Sequence, residues 1–247
     1  MLSHSRGNRI AGTLKTFTVL KRDSKLLRFW NEDRSLSVML VLLLAFIFVL
    51  VPLLNRGRAA AILLRVIYSA VLFTGILSVA KNKRYLIVVS ILAAIALVVN
   101  WLVQVIPGTP IILARDFSAI LFIVFFALIM LLKTFQQGEI NYQRISGSIV
   151  VYLLIGLIFG YVFHAIYLFA GASSFNNIKG SELKEFLYFS FTSLTTMGYG
   201  DITPVHPLAR SMANFEALIG QLYPAILIAR LVSMEFEAST KKKQKDG

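Results

Sequence analysis

Long runs of apolar residues constrain this chain more than any other feature. Hydrophobic residues make up 57% of its 247 residues and charged residues only 15%, which is too apolar for a soluble domain of this length. A helix needs roughly 20 apolar residues to cross about 30 Å of hydrocarbon. Six runs are long enough, at residues 36–54, 59–80, 85–106, 111–132, 145–170 and 208–234. The sequence therefore predicts an all-α membrane protein with six transmembrane helices.

A shorter apolar segment at residues 182–194 lies between the last two runs. It is too short to span a membrane, so we expect a re-entrant helix that Ser181 caps. It leads into "TSLTTMGYGD", residues 192–201. Irregular backbone is tolerated at membrane depth only where protein or a water-filled cavity satisfies its polar groups. Gly198 and Gly200 accept backbone angles that other residues disfavour, so successive carbonyls can point toward a common axis.

The stretch TTMGYGD, residues 195–201, resembles the selectivity filter of tetrameric potassium channels. Pro204 and Arg210 follow it at spacings typical of that family. Residues 145–234 supply, in the family's order, an outer helix, a pore helix, the filter and an inner helix. The resemblance is specific because the glycine motif stands between a re-entrant helix and a final span, where the string Gly-Tyr-Gly alone would be weak.

The resemblance implies a homotetrameric channel that conducts potassium passively, since one chain supplies one filter loop and the family's filter takes four. It implies potassium ions in the filter and no other cofactor. The residues implied to line the ion sites are Thr196, Met197, Gly198, Tyr199 and Gly200. Met197 replaces the commoner valine or isoleucine, so a weakly selective cation channel stays open as an alternative. A non-conducting membrane sensor or partner subunit is the other alternative.

Several further residues are implied to support the filter. They are Thr192, Thr195, Asp201, Tyr188 and Glu216. Thr192 stands where some family members carry a glutamate that pairs with the aspartate after the filter, so we expect Asp201 to find another partner, such as Tyr188. We expect Glu216 to bond to the pore helix or the filter backbone. The ring of Tyr199 is implied to pack against an aromatic cuff of Tyr188, Phe189 and Phe191.

The last apolar run is interrupted at Gly220 and Pro224. Proline removes a helical hydrogen bond and kinks a helix, and many family members carry a hinge glycine near this position. The resemblance implies a gating hinge at these two residues. A static kink required by packing is the alternative.

Basic residues at both ends indicate the orientation. Residues Arg6, Arg9, Lys15, Lys21, Arg22, Lys25, Arg28 and Arg34 precede the first run, and Lys241, Lys242, Lys243 and Lys245 follow the last. An even number of spans places both ends on one side, so we expect two cytoplasmic termini in the plasma membrane. The net charge of +13 then favours anionic lipid headgroups as partners over nucleic acid.

Ionisable residues within the runs are few. The fourth run carries Arg115 next to Asp116, where a voltage sensor would repeat arginines at three-residue spacing. Arg65 is expected to reach the outer headgroups rather than pair with Asp116. His206, just after the filter, is either a mild proton sensor or an ordinary loop residue. No metal-ligand spacing or catalytic motif is visible, so the chain is not predicted to be an enzyme.

The chain is expected to divide into five parts. These are a basic cytoplasmic segment 1–34, a four-helix membrane domain 35–133, a linker 134–144, a pore domain 145–235 and a basic cytoplasmic tail 236–247.

Overall fold

The computed structural model of the protein describes residues 32–50, 58–79, 82–106, 108–134 and 142–246. The predicted basic segment 1–34 therefore lies almost wholly outside the described residues, and so does most of the predicted linker 134–144.

Seven α-helices account for most of the described residues. They are α1 Glu32–Leu44, which continues as a π-helical stretch Ala45–Leu50, α2 Arg58–Ser78, α3 Lys83–Leu102, α4 Thr109–Thr134, α5 Tyr142–Ala170, α6 Leu183–Leu194 and α7 Pro207–Asp246. A 3-10 turn at Ala172–Ser174 and two short strands, β1 Phe175–Asn176 and β2 Thr203–Pro204, lie in the loops on either side of α6.

Four of these helices contain stretches long and apolar enough to cross a membrane. The stretches are Lys83–Leu102, Thr109–Leu132, Arg144–Ala170 and Pro207–Phe236. Shorter apolar stretches occur at Ser37–Phe48 in α1 and Arg65–Ser78 in α2. The prediction of a helical membrane protein is supported, while the count of six spans stays a prediction. Part of the first predicted span, residues 51–54, lies outside the described residues.

Helix packing divides the core into two clusters. The larger cluster joins α1 to α5, with Leu43, Leu72, Phe122 and Leu154 among its wholly buried side chains. α4 packs extensively on α5, α5 on α6, and α6 on α7. α5 also packs against α1 and α7, so it connects the first four helices to the C-terminal part of the chain.

The smaller cluster surrounds α6 and is rich in aromatic rings. Phe163 from α5 lies 4.9 Å from Phe189 of α6, centroid to centroid, and Phe175 of β1 lies 5.5 Å from Phe186 of α6. Both pairs are edge-to-face, which is a favoured geometry for aromatic pairs. This cluster fixes the position of α6, which has too few residues to span a membrane and leads directly into the glycine motif.

The predicted cap of α6 is wrong by one residue. The N-cap is Glu182, with φ −84° and ψ 133°, and its side chain forms no capping hydrogen bond. The carbonyl oxygen of Ser181 lies 3.0 Å from His164 Nε2 of α5 instead. The backbone therefore stays extended through Glu182, and the start of α6 is attached to α5.

Candidate functional site

The glycine motif begins where α6 ends, and its backbone has an unusual pattern of dihedral angles. Thr196 has φ 58°, Gly198 has φ 54° and Gly200 has φ 77°, so φ is positive at every second residue. Asn177 is the only other non-glycine residue with positive φ among the described residues. A left-handed conformation costs a non-glycine residue about 1–2 kcal/mol, so the surroundings of Thr196 hold it there.

Hydrogen bonds from the motif to the end of α6 supply that constraint. The Thr196 amide donates to the Ser193 carbonyl at 3.0 Å, and the Gly198 amide donates to the Thr192 carbonyl at 3.2 Å. The Thr195 hydroxyl donates to the Phe191 carbonyl at 2.6 Å, and the buried Thr192 hydroxyl donates to the Phe189 carbonyl at 2.8 Å. Thr192 and Thr195 therefore stabilise the end of α6, on which the motif rests.

Side chains of the motif are exposed in the single chain. Met197 is 56% exposed and Tyr199 is 64% exposed. The implied aromatic cuff does not form within the described part of the chain, where no ring contact joins Tyr199 to the three cuff residues. Phe189 contacts Phe163 and Phe175 instead, because its ring fills the core cluster around α6. Phe191 lies 5.7 Å from Phe48.

Asp201 has the partner expected from the sequence. The Tyr188 hydroxyl of α6 donates a hydrogen bond of 2.8 Å to Asp201 Oδ2. This hydrogen bond raises the pKa of Tyr188 above its usual value, because it stabilises the protonated hydroxyl beside a carboxylate. The bond therefore joins α6, which precedes the glycine motif, to Asp201, the last residue of the motif.

The chain after the motif is tied to the loop before α6. β1 and β2 pair antiparallel, with Phe175 opposite Pro204 and Asn176 opposite Thr203. The amides of Val205 and His206 both donate to the Ser174 carbonyl, at 2.9 and 3.1 Å. The motif is therefore held at both ends, by α6 before it and by this strand pair after it.

Glu216 of α7 lies behind α6 and is 0% exposed. Its Oε1 lies 2.5 Å from the Ser190 hydroxyl oxygen, which also lies 2.7 Å from the Gly156 carbonyl of α5. One hydroxyl carries one proton, and a carbonyl oxygen only accepts. Ser190 therefore donates to Gly156, and the Glu216 carboxyl supplies the proton for its own contact with Ser190. A neutral Glu216 carboxyl satisfies both contacts at once and links α5, α6 and α7.

Replacing Glu216 by glutamine should preserve this link. A glutamine amide donates to Ser190 as the neutral carboxyl does, so Glu216→Gln is expected to change the free energy of unfolding by about 1 kcal/mol or less. Glu216→Ala removes the donor and leaves a cavity, which is expected to destabilise the protein by about 2–4 kcal/mol. Thermal unfolding of both purified variants in detergent tests this. Equal destabilisation by the two substitutions would indicate an ionised carboxylate.

Gly220 and Pro224 both lie within the continuous helix α7. Gly220 is buried, and a Cβ built there would overlap the carbonyl oxygen of Leu194 at the end of α6. The Tyr152 hydroxyl of α5 donates to the same oxygen at 3.3 Å. Close packing against α6 therefore requires a glycine at position 220, whatever role the residue has as a hinge.

Two ionisable residues that are far apart in the sequence are in contact in the structure. Asp116 of α4 and His164 of α5 lie 48 positions apart, yet His164 Nδ1 is 2.5 Å from Asp116 Oδ2. Arg65 does not pair with Asp116. Its guanidinium faces the side-chain oxygen of Gln104 once that amide is oriented to accept. The signal in the sequence was His164 itself, an ionisable residue within an apolar run.

Comparisons with known proteins find similarity in the C-terminal part of the chain. Residues 148–237 match a family model described as an ion channel. The chain is 44% identical over 52 residues to Protein LctB of Geobacillus stearothermophilus and 42% identical over 52 residues to Protein LctB of Bacillus caldotenax. Each alignment covers 21% of this chain and 38% of the relative's length. No solved structure matches the chain.

The matched region contains α6, the glycine motif and most of α5 and α7. The family match indicates an ion channel, and together with the apolar helices it indicates a membrane protein. The matched family is described as an ion channel, which is not an enzyme family.

Proposed function

We propose that this protein is a potassium-selective channel that conducts potassium passively through a filter at residues 196–200. The observation that carries the proposal is the positive φ at Thr196, Gly198 and Gly200, with Met197 and Tyr199 between them. When φ alternates in sign along a chain in this way, successive backbone N–H groups can face one side of the chain. The carbonyl oxygens then lie on the other side, where they can replace the water around a cation.

Four copies of the chain complete the site in this proposal. One loop supplies one carbonyl at each level, whereas carbonyl rings of potassium filters take four loops. The exposed side chains of Met197 and Tyr199 are consistent with a surface that neighbouring subunits cover. The implied packing of Tyr199 in an aromatic cuff is then expected between subunits.

The distribution of basic residues supports a membrane location and an orientation for the proposed channel. We propose a homotetramer in the plasma membrane with both termini cytoplasmic, because basic residues concentrate at both ends of the chain. Anionic headgroups are the expected partners of these ends. Six spans per subunit, with α1 to α4 as a membrane domain beside the pore domain, complete the proposed architecture.

A weakly selective cation channel is the second candidate, and Met197 favours it. A methionine side chain is longer and more flexible than valine or isoleucine, so the peptide units around it are less tightly constrained. Selectivity separates the two candidates, and ion flux separates both from a non-conducting membrane protein.

The test is the reversal potential of the purified protein in planar bilayers, with potassium on one side and sodium on the other. We expect a value near the potassium equilibrium potential, because carbonyl rings of fixed size and number favour potassium over sodium. A value near zero would support the weakly selective channel. A protein that assembles and carries no current under any applied voltage would contradict both candidates.

A further inference from the structure

A buried ionic cluster connects α4 to the beginning of α6. Asp116 is 0% exposed and His164 is 2% exposed. His164 Nδ1 lies 2.5 Å from Asp116 Oδ2, and His164 Nε2 lies 3.0 Å from the Ser181 carbonyl oxygen. Ser181 directly precedes Glu182, the N-cap of α6. The histidine thus spans the space between the fourth helix and the helix that carries the proposed filter.

The geometry of the histidine fixes the number of protons in the cluster. A carbonyl oxygen only accepts, so Nε2 carries a hydrogen toward Ser181. A neutral imidazole would then present a lone pair on Nδ1 to the Asp116 carboxylate, and two acceptors at 2.5 Å repel each other. One additional proton therefore lies between His164 and Asp116. Loss of this proton removes one of the two hydrogen bonds.

Other charged and titratable groups face this cluster from several helices. Arg115 Nη2 lies 2.8 Å from Asp116 Oδ1 and balances the carboxylate. Tyr68 of α2 and Tyr161 of α5 lie close enough to interact electrostatically with Arg115 and Asp116. Arg65 of α2 interacts with Arg115.

The start of α6 adds its own charges. Lys184 and Glu182 form an ion pair of 2.7 Å there, and Glu185 follows in the first turn. The Phe186 ring packs 5.2 Å from the His164 ring and closes the cluster from the α6 side.

We propose that Asp116 and His164 are positioning residues that tether the start of α6 to α4 in a proton-dependent way. The proposal rests on the proposed function where it concerns conduction, because α6 ends at the filter. When the extra proton is present, both hydrogen bonds of His164 hold. As pH rises and the proton leaves, the tether loosens, α6 loses its anchor and potassium flux falls.

Hydrogen exchange tests the tether without any measurement of conduction. Asp116→Ala removes the carboxylate and offers no donor or acceptor to His164, and His164→Gln removes the ring. We expect backbone amides of residues 185–188 to exchange roughly tenfold faster in both variants, the change that loss of one charge-assisted hydrogen bond would give. Unchanged exchange at these amides in both folded variants would overturn the tether.

Potassium flux into liposomes tests its consequence, with the pH varied equally on both sides of the membrane. Wild-type flux is expected to fall as pH rises, and Asp116→Ala and His164→Gln are expected to abolish this dependence. His206→Gln is the matched control, because His206 lies outside the cluster and its Nδ1 accepts from the Leu208 amide. A pH dependence that His206→Gln removes, or that the two cluster variants retain, would overturn the proton-dependent tether.

The two measurements separate the proposals. A wild-type protein that carries no potassium at any pH would contradict the proposed function, and the exchange rates would still decide whether the tether exists.

Discussion

Replacing Gly198 by alanine is expected to abolish potassium flux while the protein still folds and assembles. Gly198 has φ +54°, and no atom lies within 4 Å of the position that a Cβ would take. The substitution therefore costs left-handed strain of about 1–2 kcal/mol without a steric clash in the chain. That strain can be relieved by rotation of the peptide units beside residue 198, which would turn a carbonyl away from the proposed ion path.

Gly171 provides a matched control for this prediction. It has φ +86° and equally open surroundings, but it lies in the loop after α5 rather than in the motif. Gly171 has ψ 174°, in a region that only glycine populates readily, so Gly171→Ala should carry at least as large a conformational cost and still leave flux near the wild-type level. Potassium flux in liposomes, with gel filtration to establish assembly, measures both variants. Normal flux through Gly198→Ala, or equal loss in both variants, would contradict a filter at residue 198.

The positions of the helices could be predicted closely from the apolar runs. The run at residues 111–132 corresponds to Thr109–Thr134, and the short segment at residues 182–194 corresponds to Leu183–Leu194. Polar, glycine and proline residues end the apolar runs, and the same residues interrupt helices. Length and polarity along the chain are local properties, so a single sequence reveals them.

Contacts between distant residues could not be predicted in the same way. Glu216 was expected to bond to the pore helix, and it contacts Ser190, but the serine's second contact with Gly156 could not be read from the sequence. The pair of Asp116 and His164 was missed because the register between α4 and α5 determines which polar groups meet. A sequence shows that a buried charge needs a partner, and packing selects the partner.

The glycine at position 220 can be explained either by a hinge in α7 or by close packing of α7 on α6. Its position in the last apolar run suggested a hinge, which concerns motion of α7. In the fold it lies against the Leu194 backbone, which concerns the distance between α6 and α7. The sequence could not distinguish these roles, because it does not show which atoms lie opposite the glycine.

Replacing Gly220 by alanine is expected to destabilise the protein severely. The added Cβ would overlap the carbonyl oxygen of Leu194 and would approach the carbonyl carbon and Cα of the same residue. These are backbone atoms, and a side-chain rotation cannot move them. α7 must therefore separate from α6, and we expect a loss of about 3 kcal/mol or more in the free energy of unfolding, at or beyond the upper end of ordinary overpacking.

Gly147 in α5 is the matched control for this substitution. A Cβ there would meet only the Thr134 hydroxyl, at 3.4 Å, so Gly147→Ala should be neutral or stabilising by up to about 1 kcal/mol through helix propensity. Thermal unfolding and gel filtration in detergent compare the two variants. If Gly220 acts only as a hinge, Gly220→Ala will fold and assemble normally and change only how the channel opens. Loss of stability confined to Gly220→Ala would instead establish that close packing of α7 on the end of α6 requires this glycine.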